Sequence, residues 1–429
     1  MVAETLEPVN SYYEASSNGH LDAPVVAEDM DADAVVIGGG LTGSSTALHL
    51  AEAGVDVIQL EQSHFGWGAS GRSGGQIING YGAEMESLET LLGTERAEEL
   101  WQHSLNAVEY TETLIDRFSI DCDYQRGYLH VGVKPRHDAE LKHWAQHMAD
   151  QYGYEVMEYW SKIKLREVLG SELYCGAVFD PASGHLHPLN YCLGVASAAA
   201  QAGARQFQRS AVTQVTKTGQ GFKVVVNDHA IHCKELVYAC NAYIGKLAPE
   251  IHKKIMPVGT YIVATEPLPE TTTSGLISNR AAVSDTNFVL DYYRLSSDNR
   301  MLFGGRVSYS TLEPRKLTES LRRRMLRVFP QLAGVQIDYS WGGYVAITQN
   351  RAPHIGQQKD GSWFAQGFSG HGMALTGYVG KLLSDACLGD HQTLDCFREI
   401  PHRTFPGGRL LRTPALVAAM SYYRMRDHF

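Results

Sequence analysis

The spacing of apolar positions changes several times along the chain, and each change marks an element. An unbroken apolar run from Ala34 to Ile37 predicts a buried strand, a glycine turn follows, Leu41 to Ala53 reads as a helix, and Val55 to Leu60 as a second strand. Apolar residues at helical spacing cover Glu84 to Phe118. Gly127 to Val133 alternates like a strand, and His137 to Tyr152 reads as a helix. Gly176 to Leu189 is rich in turn formers, and a helix follows to about Ala202. Arg205 to Thr216 and Phe222 to Val226 predict strands with a turn between, and Glu235 to Cys240 an apolar strand ending at Asn241-Ala242-Tyr243. From Met256 to Val307 the period is mostly two, over Thr260 to Thr265, Phe288 to Leu295 and Met301 to Val307. Ser296-Ser297-Asp298-Asn299 supplies a hairpin turn between the last two. Thr318 to Phe329 predicts a helix, and Val335 to Thr348 and Trp363 to Phe368 predict strands. Ser369-Gly370-His371-Gly372-Met373 then opens a helix to about Leu388.

The first strand, turn and helix carry chemistry. Gly38, Gly40 and Gly43 fit G-x-G-x-x-G, which supplies a tight turn, close approach of backbone to a pyrophosphate, and close helix–strand packing. The unpaired N–H groups at Leu41 and Thr42 would face the phosphates. Glu61 closes the second strand eighteen residues past Gly43, where a carboxylate can accept both ribose hydroxyls of an adenosine, with Gln62 beside it. A second stretch of glycine and small residues includes Gly68, Ala69, Ser70, Arg72, Ser73, Gly74, Gly75 and Gln76, and its backbone can approach a flat ligand. The third glycine stretch, Gly370, His371, Gly372 and Met373, puts another helix N-terminus at the ligand. Three such stretches suit a long dinucleotide held along its length. The third suits a flavin, which gains negative charge on reduction that a helix dipole stabilises; an ordinary glycine-rich cap is the competing reading. Val212, Asn241 and Gly343 complete the candidate cofactor contacts.

The expected fold is α/β: a Rossmann-like FAD-binding domain, made of the βαβ start and the C-terminal glycine–helix return, with an inserted antiparallel-sheet substrate domain. The expected boundaries are an arm at 1–30, the FAD-binding domain at 31–83, 176–250 and 340–429, and the substrate domain at 84–175 and 251–339. The length of 429 residues favours two domains over one. A net charge of −10 with no offsetting basic block argues against nucleic acid, and Arg322-Arg323-Arg324 reads as a solvated helix face. Seven cysteines without a C-x-x-C pair read as reduced thiols of a cytoplasmic protein. Residues 1 to 30 lack a leader pattern, and the chain has no apolar stretch long enough for a membrane span. His185 and His187 form an H-x-H pair without a supporting cluster, so no metal is expected.

The chain resembles the glycine/D-amino-acid-oxidase-like family of FAD-dependent amine oxidoreductases. The shared stretches are Ser11-Tyr12-Tyr13, Gly68 to Gln76, Gly184-His185-Leu186-His187-Pro188-Leu189-Asn190, Leu290-Asp291-Tyr292-Tyr293-Arg294-Leu295, Gly367 to Gly372, and Phe405-Pro406-Gly407-Gly408-Arg409. Ser73 stands where the family usually has Asn. The resemblance implies FAD, a two-domain fold, and oxidation of a CH–NH bond to an imine that water hydrolyses. Some members attach flavin through a cysteine before the last glycine stretch. Here no cysteine lies between Cys240 and Cys387, which implies non-covalent FAD. Sarcosine oxidases in the family carry a lysine two residues after G-H-G to grip the substrate carboxylate, where this chain has Ala374. The narrower match implies a γ-glutamylated or free polyamine as substrate, giving aldehyde and ammonia, with oxygen or another acceptor reoxidising the flavin. A small amino acid such as glycine, sarcosine or a D-amino acid is the alternative.

Four residues are the candidates nearest the chemistry. Tyr292 and Trp341, with Tyr293, would wall an aromatic channel for a cationic chain; packing in the sheet core is the competing reading. Arg294, like Arg306, would bind a remote carboxylate, or else form an ordinary ion pair. His371 would tune the flavin rather than take a proton.

Overall fold

The computed structural model describes residues 7–287, 289–308 and 316–405, with the side chains of 306–308 left aside. Phe288 and the Pro406–Arg409 part of the C-terminal motif lie outside the described residues.

A six-stranded sheet holds the predicted nucleotide site. Its order is His354–Gln357, Trp363–Gln366, Glu235–Tyr238, Ala34–Ile37, Val57–Leu60, Arg205–Phe207. All neighbours are parallel except the first pair. Every residue of Ala34–Ile37 and Val57–Leu60 is buried, which explains the unbroken apolar run of the first; in the second, the buried Gln59 amide donates to the Gly38 carbonyl at 3.0 Å and to Ser44 Oγ at 3.1 Å. On one face Ala34, Val36 and Val57 pack in a core shared with the helices Leu41–Glu52, Thr94–Phe118, Pro188–Gln201 and Met373–Cys387. On the other, Val35, Ile37, Ile58 and Leu60 meet Phe222, Val224 and Ile231 of a four-stranded sheet.

Small residues set how closely the first and last of those helices approach. A Cβ on Gly43 would lie 2.0 Å from the Gly38 carbonyl oxygen, and one on Gly380 would lie 2.5 Å from that of Thr42. Thr46 Oγ1 donates to the Gly380 carbonyl at 3.0 Å. The two helices therefore lie against each other, and their N-termini open at the same edge of the sheet.

The second large sheet has nine strands. Along its main path run Ile337–Ile347, Met256–Thr265, Met301–Ser308, Tyr292–Leu295, Ala282–Asp285, Gln125–Gly132, Gly176–His185 and Gln76–Ile77, while Glu158–Ser161 pairs with Gly176–His185. The helix Leu317–Val328 covers one face through Leu321, Met325 and Val328. On the other face the strand register aligns His130, Ser284, Tyr292, Gly304, Ile262 and Trp341 in one row across six strands. The expected hairpin is present, with Leu295 opposite Met301.

The structure departs from the sequence expectations in several places. Glu84 to Phe118 is two helices, Met85–Leu92 and Thr94–Phe118, broken at Gly93 with φ +88°. Arg205 to Thr216 is two strands in two sheets, separated where Arg209 takes φ +49°. Gly176 to His185 is a ten-residue strand, not a turn segment. Its partner strand shifts register between Arg126 and Tyr128, and the buried Asp180 carboxylate takes up the Ala182 N–H, the Ser183 hydroxyl, Asn79 and Tyr154. Sheet membership also cuts across the expected boundaries. Gly176–His185 and Ile337–Ile347, placed largely with the nucleotide part, pair in the nine-stranded sheet because their partners Gln125–Gly132 and Met256–Thr265 lie there. The strands His229–Cys233 and Ala282–Asp285 and the helix Glu270–Leu276 had no sequence counterpart.

The N-terminal arm packs on the body. Tyr12 and Tyr13 are buried, Tyr12 donates to Asp298 at 2.7 Å, and the Asn18 N–H bonds Asn190 Oδ1 at 3.0 Å. His187 caps the helix Pro188–Gln201: its Nδ1 accepts the Asn190 N–H at 3.1 Å, while Nε2 lies 3.1 Å from the Ser16 hydroxyl. Burial, then the Arg294 charge, brings the His187 pKa down to about 4. A protonated ring cannot cap, and the unfolded chain binds the proton more readily between the ordinary value of 6.5 and 4. Stability contributed by neutral His187 is therefore whole above 6.5 and falls as pH drops through that window. His187→Asn keeps an acceptor at the cap without titrating. Thermal unfolding across pH 7 to 4 should fall less steeply in this variant than in the wild type, and parallel curves would rule the cap out as a contributor.

Candidate active site

The two helix N-termini at the sheet edge border a cleft. Its wall includes Gly38 to Thr42, Glu61, Gln62, Gly68 to Ser70, Ser73, Asn241, Gly370, Gly372 and Met373. Gly40 begins the helix Leu41–Glu52, and Gly372 begins Met373–Cys387. Neither cap has a side-chain hydrogen bond among the described residues, and neither first turn holds a carboxylate. Two positive helix ends therefore face one space, the arrangement that favours an anionic ligand. The short turn Ala69–Arg72 completes the rim, where Ser70 Oγ accepts the Leu41 N–H at 3.0 Å.

Glycine is required where the wall is thin. Gly38 has φ +128°, and a Cβ there would lie 2.5 Å from the Ala239 carbonyl oxygen. A Cβ on Gly39 would lie 2.8 Å from Glu61 Cβ. The Glu61 carboxylate is buried and accepts the Gly39 N–H at 2.7 Å on Oε2 and the Ser63 N–H at 2.8 Å on Oε1. Burial pushes its pKa up, and backbone N–H groups of Ser63, Gly39 and Gln62 pull it back. A carboxylate offers about four acceptor sites, so it can also accept from a hydroxyl donor. Glycine cradle, helix ends and a buried carboxylate at the end of the second strand all fit a bound dinucleotide.

Fifteen expected cofactor contacts line this cleft: Gly38, Gly40, Leu41, Thr42, Glu61, Gln62, Gly68, Ala69, Ser70, Ser73, Val212, Asn241, Gly370, Gly372 and Met373. The other seven are not among its lining residues. Gly43 packs on Gly38. The Arg72 guanidinium lies 4.4 Å from the Trp67 ring centroid, and the Arg72 carbonyl accepts the Trp341 indole N–H at 3.0 Å. Gly74 abuts the Tyr292 ring, Gly75 abuts the Leu186 carbonyl, Gln76 donates to Val283, and Gly343 pairs with Thr260. His371 bonds the Asn79 carbonyl at 2.9 Å, so its Nε2 carries the hydrogen, and burial lowers its pKa and keeps the ring neutral.

Two of the substrate-side expectations are corrected. Trp341 is buried against Tyr13, with ring centroids 5.2 Å apart, and is not among the residues that line the cleft. Arg294 is buried and bonded to backbone carbonyls, so it is not presented to a remote carboxylate. Tyr292 sits between Gly74 and Gly304 in the row that faces the nucleotide part. Tyr293 points to the opposite face, stacked on Phe303. The Arg306 side chain lies outside the described residues. His185 and His187 bond Arg280 and Asn190 and converge on no common point as ligands.

Sequence reasoning missed Gly39, Ser210, Tyr243 and Val345, all in the cleft wall. Gly39 is the unpatterned middle of the glycine turn. Ser210 arrives through the break at Arg209, where its N–H donates to the Glu61 carbonyl at 2.8 Å. Tyr243 follows the noted Asn241 and packs 5.1 Å from Trp67.

A parallel sheet with a glycine-turned anion cradle, facing a second sheet, defines a dinucleotide-binding oxidoreductase fold. The chain belongs to the DAO family, the FAD dependent oxidoreductases, whose family model matches residues 33–386. It is 39% identical to the gamma-glutamylputrescine oxidoreductase of Escherichia coli over 98% of this chain and 99% of that protein. It is 40% identical to a probable oxidoreductase of Haemophilus influenzae over 99% of this chain and 98% of that one. The glycine oxidase structure from Geobacillus kaustophilus superposes with a TM-score of 0.74 at 20% identity, covering 87% of this chain and 100% of that one, which is likeness of fold.

Glu61→Gln tests the ribose end. Whichever way the amide turns, its NH₂ opposes the Gly39 or the Ser63 N–H, and one charged acceptor is lost. Hydrogen bonds to charged groups contribute about 1.5–3 kcal/mol each. FAD should bind at least about tenfold more weakly in a fluorescence titration, and unchanged affinity would remove Glu61 from the site.

Proposed function

We propose that the protein oxidises the primary amine of γ-glutamylputrescine or another polyamine to an imine, which water hydrolyses to aldehyde and ammonia. The likeness to the gamma-glutamylputrescine oxidoreductase along the whole of both chains is the observation that carries this reading. FAD bound in the cleft would take two electrons and a hydrogen from the carbon bearing the amine, and oxygen or another acceptor would reoxidise it.

The chain's own residues divide the remaining work. The backbone N–H groups of Gly40 and Thr42 would face the pyrophosphate, since those of Gly38, Gly39 and Leu41 bond Leu60, Glu61 and Ser70, and Glu61 would hold the ribose. The helix beginning at Met373 would place its positive end where the ring gains charge. Ser73, Gly370 and Met373 would border the ring, with Tyr292 and His130 on the facing sheet. Burial brings His130 down to about 4, so it stays neutral and adds no repulsion against a cationic amine.

Selectivity follows from a missing cation. The first turn of that helix, Met373-Ala374-Leu375-Thr376, carries no basic residue, and Ala374 is buried in the core. Arg294 is engaged elsewhere. Neither this turn nor Arg294 would offer a partner to a carboxylate beside the reacting carbon. A buried charged partner contributes roughly 3 kcal/mol, about a hundredfold in rate. We expect kcat/KM for γ-glutamylputrescine or a free polyamine to exceed that for sarcosine, glycine or D-alanine by about that factor. Equal turnover of sarcosine or glycine would move the assignment to a small amino acid. Because Ala374 faces the core, a lysine there would disturb packing and is a poor test.

The attachment of FAD is tested separately. Of the cysteines, Cys240 borders the cleft, and burial pushes its thiol up and keeps it protonated. Acid precipitation should therefore release all the flavin into the supernatant, and colour retained in the pellet would show a covalent bond.

A further inference from the structure

We propose that Tyr13 of the N-terminal arm and Arg294 act together as positioning residues for the cofactor turn Ser73–Gly75, which makes the arm a working part of the cofactor site. This rests on the reading of the cleft as the site of FAD.

The clamp is visible bond by bond. Arg294 is 3% exposed. Its Nε donates to the Gly74 carbonyl at 2.8 Å, and its Nη2 donates to the Leu186 carbonyl at 2.8 Å and to the Tyr13 hydroxyl at 3.2 Å. The Leu186 N–H returns a bond to the Gly75 carbonyl at 2.8 Å. Gly75 has φ +72°, and a Cβ there would lie 2.2 Å from the Leu186 oxygen, so the turn has no room to shift toward its support. Ser73, next to this staple, borders the cleft.

Tyr13 reaches the same turn by a second route. Its ring lies edge-on to Trp341, whose indole N–H donates to the Arg72 carbonyl. One fully buried arm residue thus contacts both side chains that hold the backbone from Arg72 to Gly74. Arg294 forms no ion pair among the described residues, so carbonyls and one phenol satisfy this buried cation. Loss of one partner leaves charge unsatisfied, which burial makes costly. The other arm contacts, such as Tyr12 with Asp298 and Glu14 with His64, fasten the arm elsewhere and do not touch the turn.

The test is release of FAD from the holoenzyme, followed by flavin fluorescence after dilution, with the visible spectrum of the bound flavin. Tyr13→Phe keeps the ring and loses the hydroxyl. Arg294→Lys keeps the charge and loses the fork. Both should release FAD at least about tenfold faster and alter the flavin spectrum. Tyr12→Phe, which loosens the arm away from the turn, should release FAD as the wild type does. Wild-type release and spectrum in Tyr13→Phe and Arg294→Lys overturn the proposal, even with a lowered unfolding temperature, because a purely structural tie would do that. Equal acceleration by Tyr12→Phe also overturns it, by making the arm a general tether. Glu61→Gln is measured alongside: if it too has no effect, the cleft assignment falls, and if it alone accelerates release, the clamp alone falls.

Discussion

Backbone N–H groups at a helix start must find an acceptor, and here two such starts open on one space. The rest of the architecture serves that requirement. Gly43 and Gly380 let the helix Leu41–Glu52 lie against its strand and against Met373–Cys387 with backbone nearly touching backbone. A methyl group at Gly380 would push the helices apart and separate the two positive ends, and one at Gly43 would push the first helix off its strand. The first turns hold no carboxylate that would compete for those donors. A negatively charged ligand therefore completes the local structure as well as occupying it.

The division of the fold into a parallel sheet and a largely antiparallel one was legible from apolar runs in the one and turn signals in the other. Ala34–Ile37 is buried on both faces and reads as an unbroken apolar run, whereas Met301–Ser308 follows a turn signal and joins a hairpin. Glycine spacing located most of the cleft, since those positions are constrained by backbone contact. Less visible were features set by long-range packing. Asp180-Pro181 looks like a turn locally, yet a buried carboxylate with four donors and a register shift opposite hold it in a strand. Arg209 carries the chain from one sheet to another through a left-handed residue that no periodicity announces.

The side-chain roles were harder to read than the glycine roles, for a physical reason. Arg294 and Trp341 have the chemistry of ligand-binding residues, a forked cation and a broad aromatic face. Whether such groups meet a ligand or a carbonyl depends on which face of the strand they take and what packs above it. Here the arm packs above them, and Tyr13 turns both toward the protein interior. The two residues support the wall of the site from behind. His187 follows the same logic, with chemistry that suits a ligand used to cap a helix.

That arrangement also decides what sets the electric field of the cleft. His130, His185 and His187 are each brought down to about 4 or below, chiefly by burial, and His371 is lowered for the same reason. None of them adds positive charge near neutral pH. The positive potential of the two helix ends and of the Arg294 guanidinium behind Gly74 does not titrate in that range. A site built this way presents a constant field to a cofactor that gains charge on reduction.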